Sequence, residues 1–242
     1  SVSIRIIKRE ANHTKLFCRG ASKISIMSTL VFDIETVGEE WSTLDDVTQQ
    51  TLVKWIEKSS RSDSERVVML EAVKNQLGFS PLTGKIVSLA VYDIEREMGA
   101  VYYVGEGNEE DFSDDTFSYK QRSEQEILED FWESAKSYDT FVTFNGRQFD
   151  VPFLLLRSVA EEVRPTVELQ RKRYLSQQSI PYHVDLQDEL TFYGSLQRRP
   201  QLHLFCRALS SIPHPQKQGN PFVFSKSSPF ITTIPPNACL NP

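Results

Sequence analysis

Short apolar runs alternate with amphipathic stretches along the middle of the chain. The runs have the length and composition of β-strands, and they comprise residues 30–36, 85–93, 100–104, 140–144 and 182–186. The second and third runs are joined through residues 96–99. Such a short connection between two strands predicts a β-hairpin.

Capping signals and apolar periodicity predict the helices. Ser62 with Glu65 and Ser123 with Glu126 both have the spacing of a capping box, and Gly78 would end the first of these helices. Two further helices are predicted at residues 151–163 and 202–209. Several strands followed by alternating helices and strands predict an α/β fold with a mixed sheet flanked by helices.

The two ends of the chain differ from this middle part. Residues 1–26 are basic and show no clear periodicity, so we interpret them as an upstream or disordered segment that precedes a start at Met27. Residues 211–242 contain 7 of the 12 prolines and no Asp or Glu, which disfavours helices and strand pairing. The sequence therefore predicts one domain at residues 27–210, C-terminally incomplete, followed by a Pro-rich atypical tail.

Composition indicates a soluble globular protein. The chain has 242 residues and 39% hydrophobic content, which suffices for a sizeable core. Its longest apolar stretches fall far short of the roughly 20 residues that a membrane span needs, so an intracellular, cytoplasmic location is expected. Three widely separated cysteines, Cys18, Cys206 and Cys239, support neither a disulfide framework nor a zinc site.

Two carboxylates interrupt the first apolar run, LVFDIET. Because side chains alternate faces along a strand, Asp33 and Glu35 point the same way while Phe32 and Ile34 point to the other face. Two neighbouring anions need positive charge between them, and oxygen ligands favour Mg²⁺ or Mn²⁺. The alternative is a strand end at which both acids reach solvent or pair with Lys or Arg.

A second acidic position follows a turn signal in the stretch TFNGRQFDVPFLLLRS. Asp150 comes after the pair Asn145-Gly146 and just before Pro152, where the N-cap of a helix is expected. One interpretation is a capped helix and nothing more. The other is that Asp150 supplies a third carboxylate beside the strand that carries Asp33 and Glu35.

Together these motifs carry a family resemblance. FDIET, residues 32–36, resembles the first motif of the DEDD 3′–5′ exonucleases, and FNGRQFDVPFL, residues 144–154, resembles the second. The sequence is most similar to stand-alone predicted exonucleases related to the proofreading domain of family-B DNA polymerases. Segments similar to that family include YHVDL, residues 182–186, and RRPQLHLFCRALS, residues 198–210.

The resemblance implies a ribonuclease H-like fold and a metal-dependent 3′–5′ exonuclease. Asp33, Glu35 and Asp150 would be the catalytic residues and would bind two divalent ions, Mg²⁺ or Mn²⁺. The substrates would be single-stranded DNA or RNA 3′ ends, with DNA preferred over RNA by analogy with the family.

The resemblance also implies a third motif with a fourth carboxylate, and the sequence departs from the pattern here. After Ser210 the chain has no acidic residue. Asp185, in the segment YHVDL, is a further candidate metal ligand. A supporting or structural role for Asp185 is the alternative.

Substrate contacts are expected along the second motif, at Asn145, Arg147, Phe149 and Arg157. By resemblance, Asn145 and Phe149 would contact the terminal nucleotides, with Phe149 stacking on a base. The alternative assignments are a turn residue for Asn145, solvated arginines and a core aromatic.

Two other functional classes stay open at this point. The first is a catalytically impaired ribonuclease H-like module that binds nucleic acid or a protein partner. The second is a solute-binding or structural α/β domain in which the acidic residues are incidental.

Overall fold

A computed structural model describes residues 28–107, 110–196 and 199–210. The predictions for residues 1–26, for a start at Met27 and for the Pro-rich tail at 211–242 lie outside the described residues.

A seven-stranded mixed sheet forms the centre of the molecule. Its strands are β1 (Thr29–Gly38), β2 (Gly84–Asp93), β3 (Met98–Tyr103), β4 (Phe112–Ser113), β5 (Phe117–Gln121), β6 (Thr140–Thr143) and β7 (Tyr182–Asp185). They lie in the order β4-β5-β3-β2-β1-β6-β7. β1, β2 and β3 pair antiparallel, as do β4 and β5, whereas β3 with β5, β1 with β6, and β6 with β7 pair parallel.

The described residues also form seven α-helices, five of them between strands and two after the last strand. They are α1 (Asp46–Val53), α2 (Ile56–Ser59), α3 (Asp63–Gln76), α4 (Glu124–Ala135), α5 (Asp150–Ala160), α6 (Leu186–Leu190) and α7 (Leu202–Ser210). The α/β fold with a mixed sheet flanked by helices, which the sequence predicts, is thereby confirmed. Across the described part of the chain, no helix is long and apolar enough to cross a membrane.

The main core lies between one face of the sheet and helices α4 and α5. Phe32 of β1 contacts Phe131 of α4 edge to face, with ring centroids 5.1 Å apart. Trp132 lies beside Phe131 and donates its indole N–H to the Ser158 hydroxyl on α5 at 2.8 Å. Both helices are thus fixed against the face of β1 that carries Phe32 and Ile34.

Local signals predicted the principal elements well. The β2–β3 hairpin is present, and Ser123 with Glu126 forms the complete capping box of α4. At the start of α3 the box is incomplete, because Ser62 caps the Glu65 N–H but the Glu65 carboxylate accepts from the Arg61 N–H instead. The short elements α1, α2, β4, β5 and α6 were not predicted.

A buried ion pair links α4, α5 and β2. Arg157 donates from Nε and one terminal nitrogen to the two carboxylate oxygens of Glu124, at 2.8 and 2.7 Å. Glu124 also accepts the Ile86 N–H at 2.8 Å, and Arg157 donates to Glu161 at 2.8 Å. Both partners of the central pair are buried. The pair therefore ties two helices to the middle of the sheet.

Arg157→Leu is expected to lower the free energy of unfolding by about 3–5 kcal/mol, because Glu124 would keep a buried charge without its partner. Urea denaturation measures the change. Arg66→Leu is the matched control, since Arg66 forms only an exposed ion pair with Glu57 at 3.9 Å and its loss should cost less than about 1 kcal/mol. Equal losses in the two variants would contradict this role for Arg157.

Candidate functional site

The candidate site lies where β1 continues past its parallel neighbour. Residues Thr29, Leu30 and Val31 of β1 pair with Thr140, Phe141 and Val142 of β6, and β6 ends one residue later. β1 runs on to Gly38, so its second half has no strand on that side. Beyond Val31, the N–H and C=O groups on the β6 side of β1 therefore need hydrogen-bond partners other than a strand.

Asp150 supplies one of these partners. Its carboxylate oxygen Oδ1 accepts the Ile34 N–H at 3.1 Å, and the residue is buried with 2% of its surface exposed. The expectation that Asp150 is the helix N-cap is wrong, because the cap position is Phe149 and Asp150 is the first residue of α5. The carboxylate is used to join α5 to β1.

Asp33 shares a hydrogen bond with Asp150. Burial and the neighbouring Asp33 charge raise the pKa of the Asp150 carboxyl well above its usual range. Burial also raises the pKa of Asp33, although the hydrogen bond from Asp150 opposes that effect. Both shifts disfavour two adjacent charges, and a proton shared by the pair would allow the two carboxyl groups to lie in contact.

Glu35 follows on the same face of β1 and is exposed. The protein atoms around its carboxyl group exclude part of the surrounding water and raise its pKa, and repulsion from Asp33 adds to the rise. A β-bulge interrupts the pairing of β1 with β2 between Glu35 and Thr36. Bulges increase strand twist and re-aim side chains, and this one lies immediately after the acidic pair.

The donor set suits a hard divalent cation. Within the described residues, no Lys, Arg or His forms an ion pair with Asp33, Glu35 or Asp150. Carboxylate oxygens are the ligands that Mg²⁺ and Mn²⁺ prefer. In residues 28–107, 110–196 and 199–210, however, no three His, Cys, Asp or Glu side chains are already arranged to hold a metal ion.

Asp185 has a different set of contacts. Its Oδ1 accepts the N–H groups of Asn145 and Gln187 at 2.9 and 3.0 Å, and its Oδ2 accepts the Arg147 N–H at 3.0 Å. Three backbone donors therefore share this buried carboxylate, which caps α6 and holds the turn after β6. The structure brings Asp33 and Asp150 together but directs Asp185 to the backbone.

The turn held by Asp185 needs its Asn-Gly sequence. Asn145 has a φ of +63°, a left-handed conformation that Asn tolerates better than most residues. A Cβ on Gly146 would lie 2.3 Å from the Thr143 hydroxyl oxygen, so no larger residue fits without movement. The turn thereby delivers Phe149 and Asp150 to the end of β1.

Both arginines expected at the substrate are engaged elsewhere. Arg147 is buried and donates from its guanidinium to the carbonyls of Arg171, Lys172 and His183 at 2.6, 3.0 and 3.3 Å. Burial lowers the pKa of Arg147. Arg157 is the partner of Glu124 described above. Neither guanidinium is among the groups that the structure brings to Asp33 and Asp150.

Phe149 directly precedes Asp150, and Asn145 lies in the turn before it; both are half-buried. The Phe149 ring lies between the buried Phe153, 5.5 Å away between centroids, and Phe79, 6.4 Å away. Phe79 was not predicted, because it lies in a segment without a motif and 43 residues after Thr36. An aromatic residue in the connection just ahead of the second strand is the one signal that the sequence offered.

Comparison with known proteins places the chain in a family. Residues 86–219 match the family described as "Predicted 3'-5' exonuclease related to the exonuclease domain of PolB", and this match covers more than half of the chain. The chain therefore belongs to this family of predicted 3′–5′ exonucleases. The matched part includes Asn145, Asp150 and Asp185, whereas Asp33 and Glu35 lie before it.

Comparison with solved structures includes the family B DNA polymerase from the hyperthermophilic archaeon Pyrobaculum calidifontis, at 17% sequence identity and a TM-score of 0.39. The alignment covers 76% of this chain and 18% of the polymerase chain. No curated protein matches the sequence.

Asp150→Asn is expected to leave the free energy of unfolding in EDTA unchanged or higher. An Asn oxygen can still accept the Ile34 N–H, and its NH₂ group can donate to Asp33 as the carboxyl proton does. Asp150→Ala should instead cost about 1–3 kcal/mol, because the Ile34 N–H would be buried without an acceptor. Urea denaturation of both variants tests this pair of expectations, and equal stabilities would contradict it.

Proposed function

We propose that this protein is a metal-dependent 3′–5′ exonuclease that hydrolyses phosphodiester bonds at single-stranded nucleic-acid ends. The observation that carries the proposal is the contact between Asp33 and Asp150, with Glu35 two residues along the same face of β1. This group has no basic partner among the described residues, and the chain belongs to a family of predicted 3′–5′ exonucleases.

Asp33, Glu35 and Asp150 would hold two divalent ions, Mg²⁺ or Mn²⁺. Such ions, when bound, activate water for attack on the phosphorus and stabilise the leaving 3′ oxygen. The role of the protein is to fix the carboxylates. The opposite face of β1 packs in the core and so fixes the strand that carries Asp33 and Glu35. The Ile34 N–H donates a hydrogen bond to Asp150 and fixes its position.

Asp185 would act on the site indirectly in this proposal. By accepting the N–H groups of Asn145 and Arg147, it fixes the turn that precedes Phe149 and Asp150. Asn145 and Phe149 would contact the terminal nucleotides. We assign Arg147 and Arg157 to the structure of the domain, because the terminal nitrogens of Arg147 bind carbonyls and Arg157 binds two carboxylates.

The charge of the protein argues against tight nonspecific binding of duplex DNA. Its formal net charge is −6, and phosphate contacts from basic residues supply most nonspecific affinity for duplex DNA. DNA as the preferred substrate over RNA rests on analogy with the family alone. Digestion of matched DNA and RNA oligonucleotides would decide that preference.

One observation favours a second candidate, a ribonuclease H-like module that binds nucleic acid or a partner without cleaving. The family pattern includes a fourth carboxylate after the region of α7, and residues 211–242 contain no Asp or Glu. The two candidates differ in whether phosphodiester bonds are broken. A cleavage assay therefore separates them.

The chain with Mn²⁺ is expected to convert a 5′-labelled single-stranded oligonucleotide into a descending ladder. EDTA should abolish the ladder, and Asp33→Ala should reduce the rate by at least about 100-fold, because loss of even a group that supports a metal ligand costs 10- to 100-fold. Glu133→Gln is the matched control, since it removes an exposed carboxylate on α4. Binding without a ladder would support the non-cleaving module.

Mn²⁺ is expected to raise the melting temperature of the protein, because a ligand that binds only the folded state stabilises it. Asp33→Asn should remove this shift. Asp185→Asn should lower the melting temperature but keep the Mn²⁺ shift, because the turn would lose acceptors while Asp33, Glu35 and Asp150 remain. Thermal melts with and without Mn²⁺ measure both effects. Loss of the shift in Asp185→Asn, with the melting temperature without Mn²⁺ unchanged, would identify Asp185 as a ligand.

A further inference from the structure

A tight turn is fixed against the end of β1. The 3₁₀ turn Leu77–Phe79 follows α3, and the Thr36 hydroxyl donates to the Gly78 carbonyl at 2.7 Å. The Thr83 hydroxyl donates to the Leu77 carbonyl at 2.8 Å. A buried Leu77 side chain completes the anchor, so the turn has a defined position beside Thr36, the residue that follows Glu35 on β1.

Two glycines allow this close contact. A Cβ on Gly38 would lie 2.9 Å from the Gly78 backbone nitrogen and 2.7 Å from the Leu77 Cβ. A Cβ on Gly78 would likewise lie 2.9 Å from the Gly38 nitrogen. The backbones of the turn and of β1 therefore touch, and any residue on the turn has a fixed relation to Asp33 and Glu35.

Phe79 projects from this anchored turn into solvent. Its side chain is 70% exposed, although one side of its ring approaches Phe149. Phe149 in turn contacts Phe153 in the core. A series of three rings thus leads from the core to the surface, and its middle member directly precedes Asp150.

The chemistry of the two outer rings points to a nucleobase. Aromatic side chains bind unpaired bases by stacking, and this binding tolerates any sequence because every base has a π-face. Phe has no hydrogen-bonding group with which to read a base edge. Phe149 directly precedes Asp150, so the rings and the carboxyl group that contacts Asp33 lie at the same end of α5.

We propose that Phe79 and Phe149 together form the surface on which the unpaired terminal base of a single-stranded substrate stacks. This inference rests on the proposed nuclease function and assigns Phe79 a role in it. Phe79 acts as a substrate-binding residue that positions the terminal nucleotide, and it does not take part in the chemistry.

The test compares Phe79→Leu, Phe79→Trp and Leu82→Ala in the full chain. Leu82 lies three residues after Phe79, before β2 begins, and is 77% exposed. Its truncation therefore controls for loss of exposed apolar surface. Steady-state digestion of a single-stranded oligonucleotide with Mn²⁺ gives KM and kcat. Thermal melts establish that each variant is folded.

A second readout follows the base itself. In an Asp33→Asn background, which slows cleavage, an oligonucleotide with 2-aminopurine at its 3′ end reports stacking through its fluorescence. The expected result is a 5- to 150-fold weaker binding and a higher KM for Phe79→Leu with little change in kcat. Phe79→Trp should restore binding and the fluorescence change, and Leu82→Ala should behave as the wild type.

Different failures have different meanings in this experiment. If the wild type digests the oligonucleotide and Phe79→Leu does so with the same KM and the same fluorescence change, the stacking role of Phe79 is overturned and the nuclease function stands. If the wild type neither digests nor binds the oligonucleotide, the proposed function fails and the inference fails with it.

Discussion

The hydrogen bond from the Ile34 N–H to the Asp150 carboxylate is the contact on which the arrangement of the site depends. It exists because β6 ends at Thr143 while β1 continues, which leaves a backbone donor at the centre of the fold without a strand partner. Burial makes an unsatisfied N–H costly. One side chain removes that cost and at the same time brings the second acidic segment to the first.

Two buried aspartates, one at the start of α5 and one at the end of β7, have opposite surroundings. Asp185 is surrounded by N–H groups from Asn145, Arg147 and Gln187, which stabilise a carboxylate without any ion. Asp150 accepts a strand N–H and faces another acid, which destabilises its charged form. The same residue type therefore serves as a backbone cap in one position and as a group that a cation would stabilise in the other.

The sequence predicted the parts of the fold that depend on local rules. Strand alternation predicted which faces carry Phe32 and Asp33, and the Ser123 capping box predicted the start of α4. Local rules were insufficient for Asp150, since its position before Pro152 suggested a cap and only the tertiary structure directs its carboxylate to β1. The parallel pairing of β1 with β6, which brings Asp150 to β1, cannot be predicted from either segment alone.

Charge was the least informative signal in the second motif. Arg147 and Arg157 were expected at a phosphate, but each is buried by partners that lie far away in the sequence, at 171–172, 183 and 124. Phe79 shows the reverse situation, since nothing near it in the sequence marks a site. Its relation to Phe149 arises from a contact between segments 70 residues apart.

The contact between Gly38 and Gly78 also separates the strands of the sheet from the long segment that connects β1 to β2. The backbone leaves the sheet at Gly38 and returns to the same point at Gly78, so residues 39–77, including α1, α2 and α3, form a loop whose ends touch. The entropic cost of closing such a loop grows slowly with its length. Changes in the length of this segment should therefore disturb the strands little, provided that the two glycines and the buried Leu77 remain.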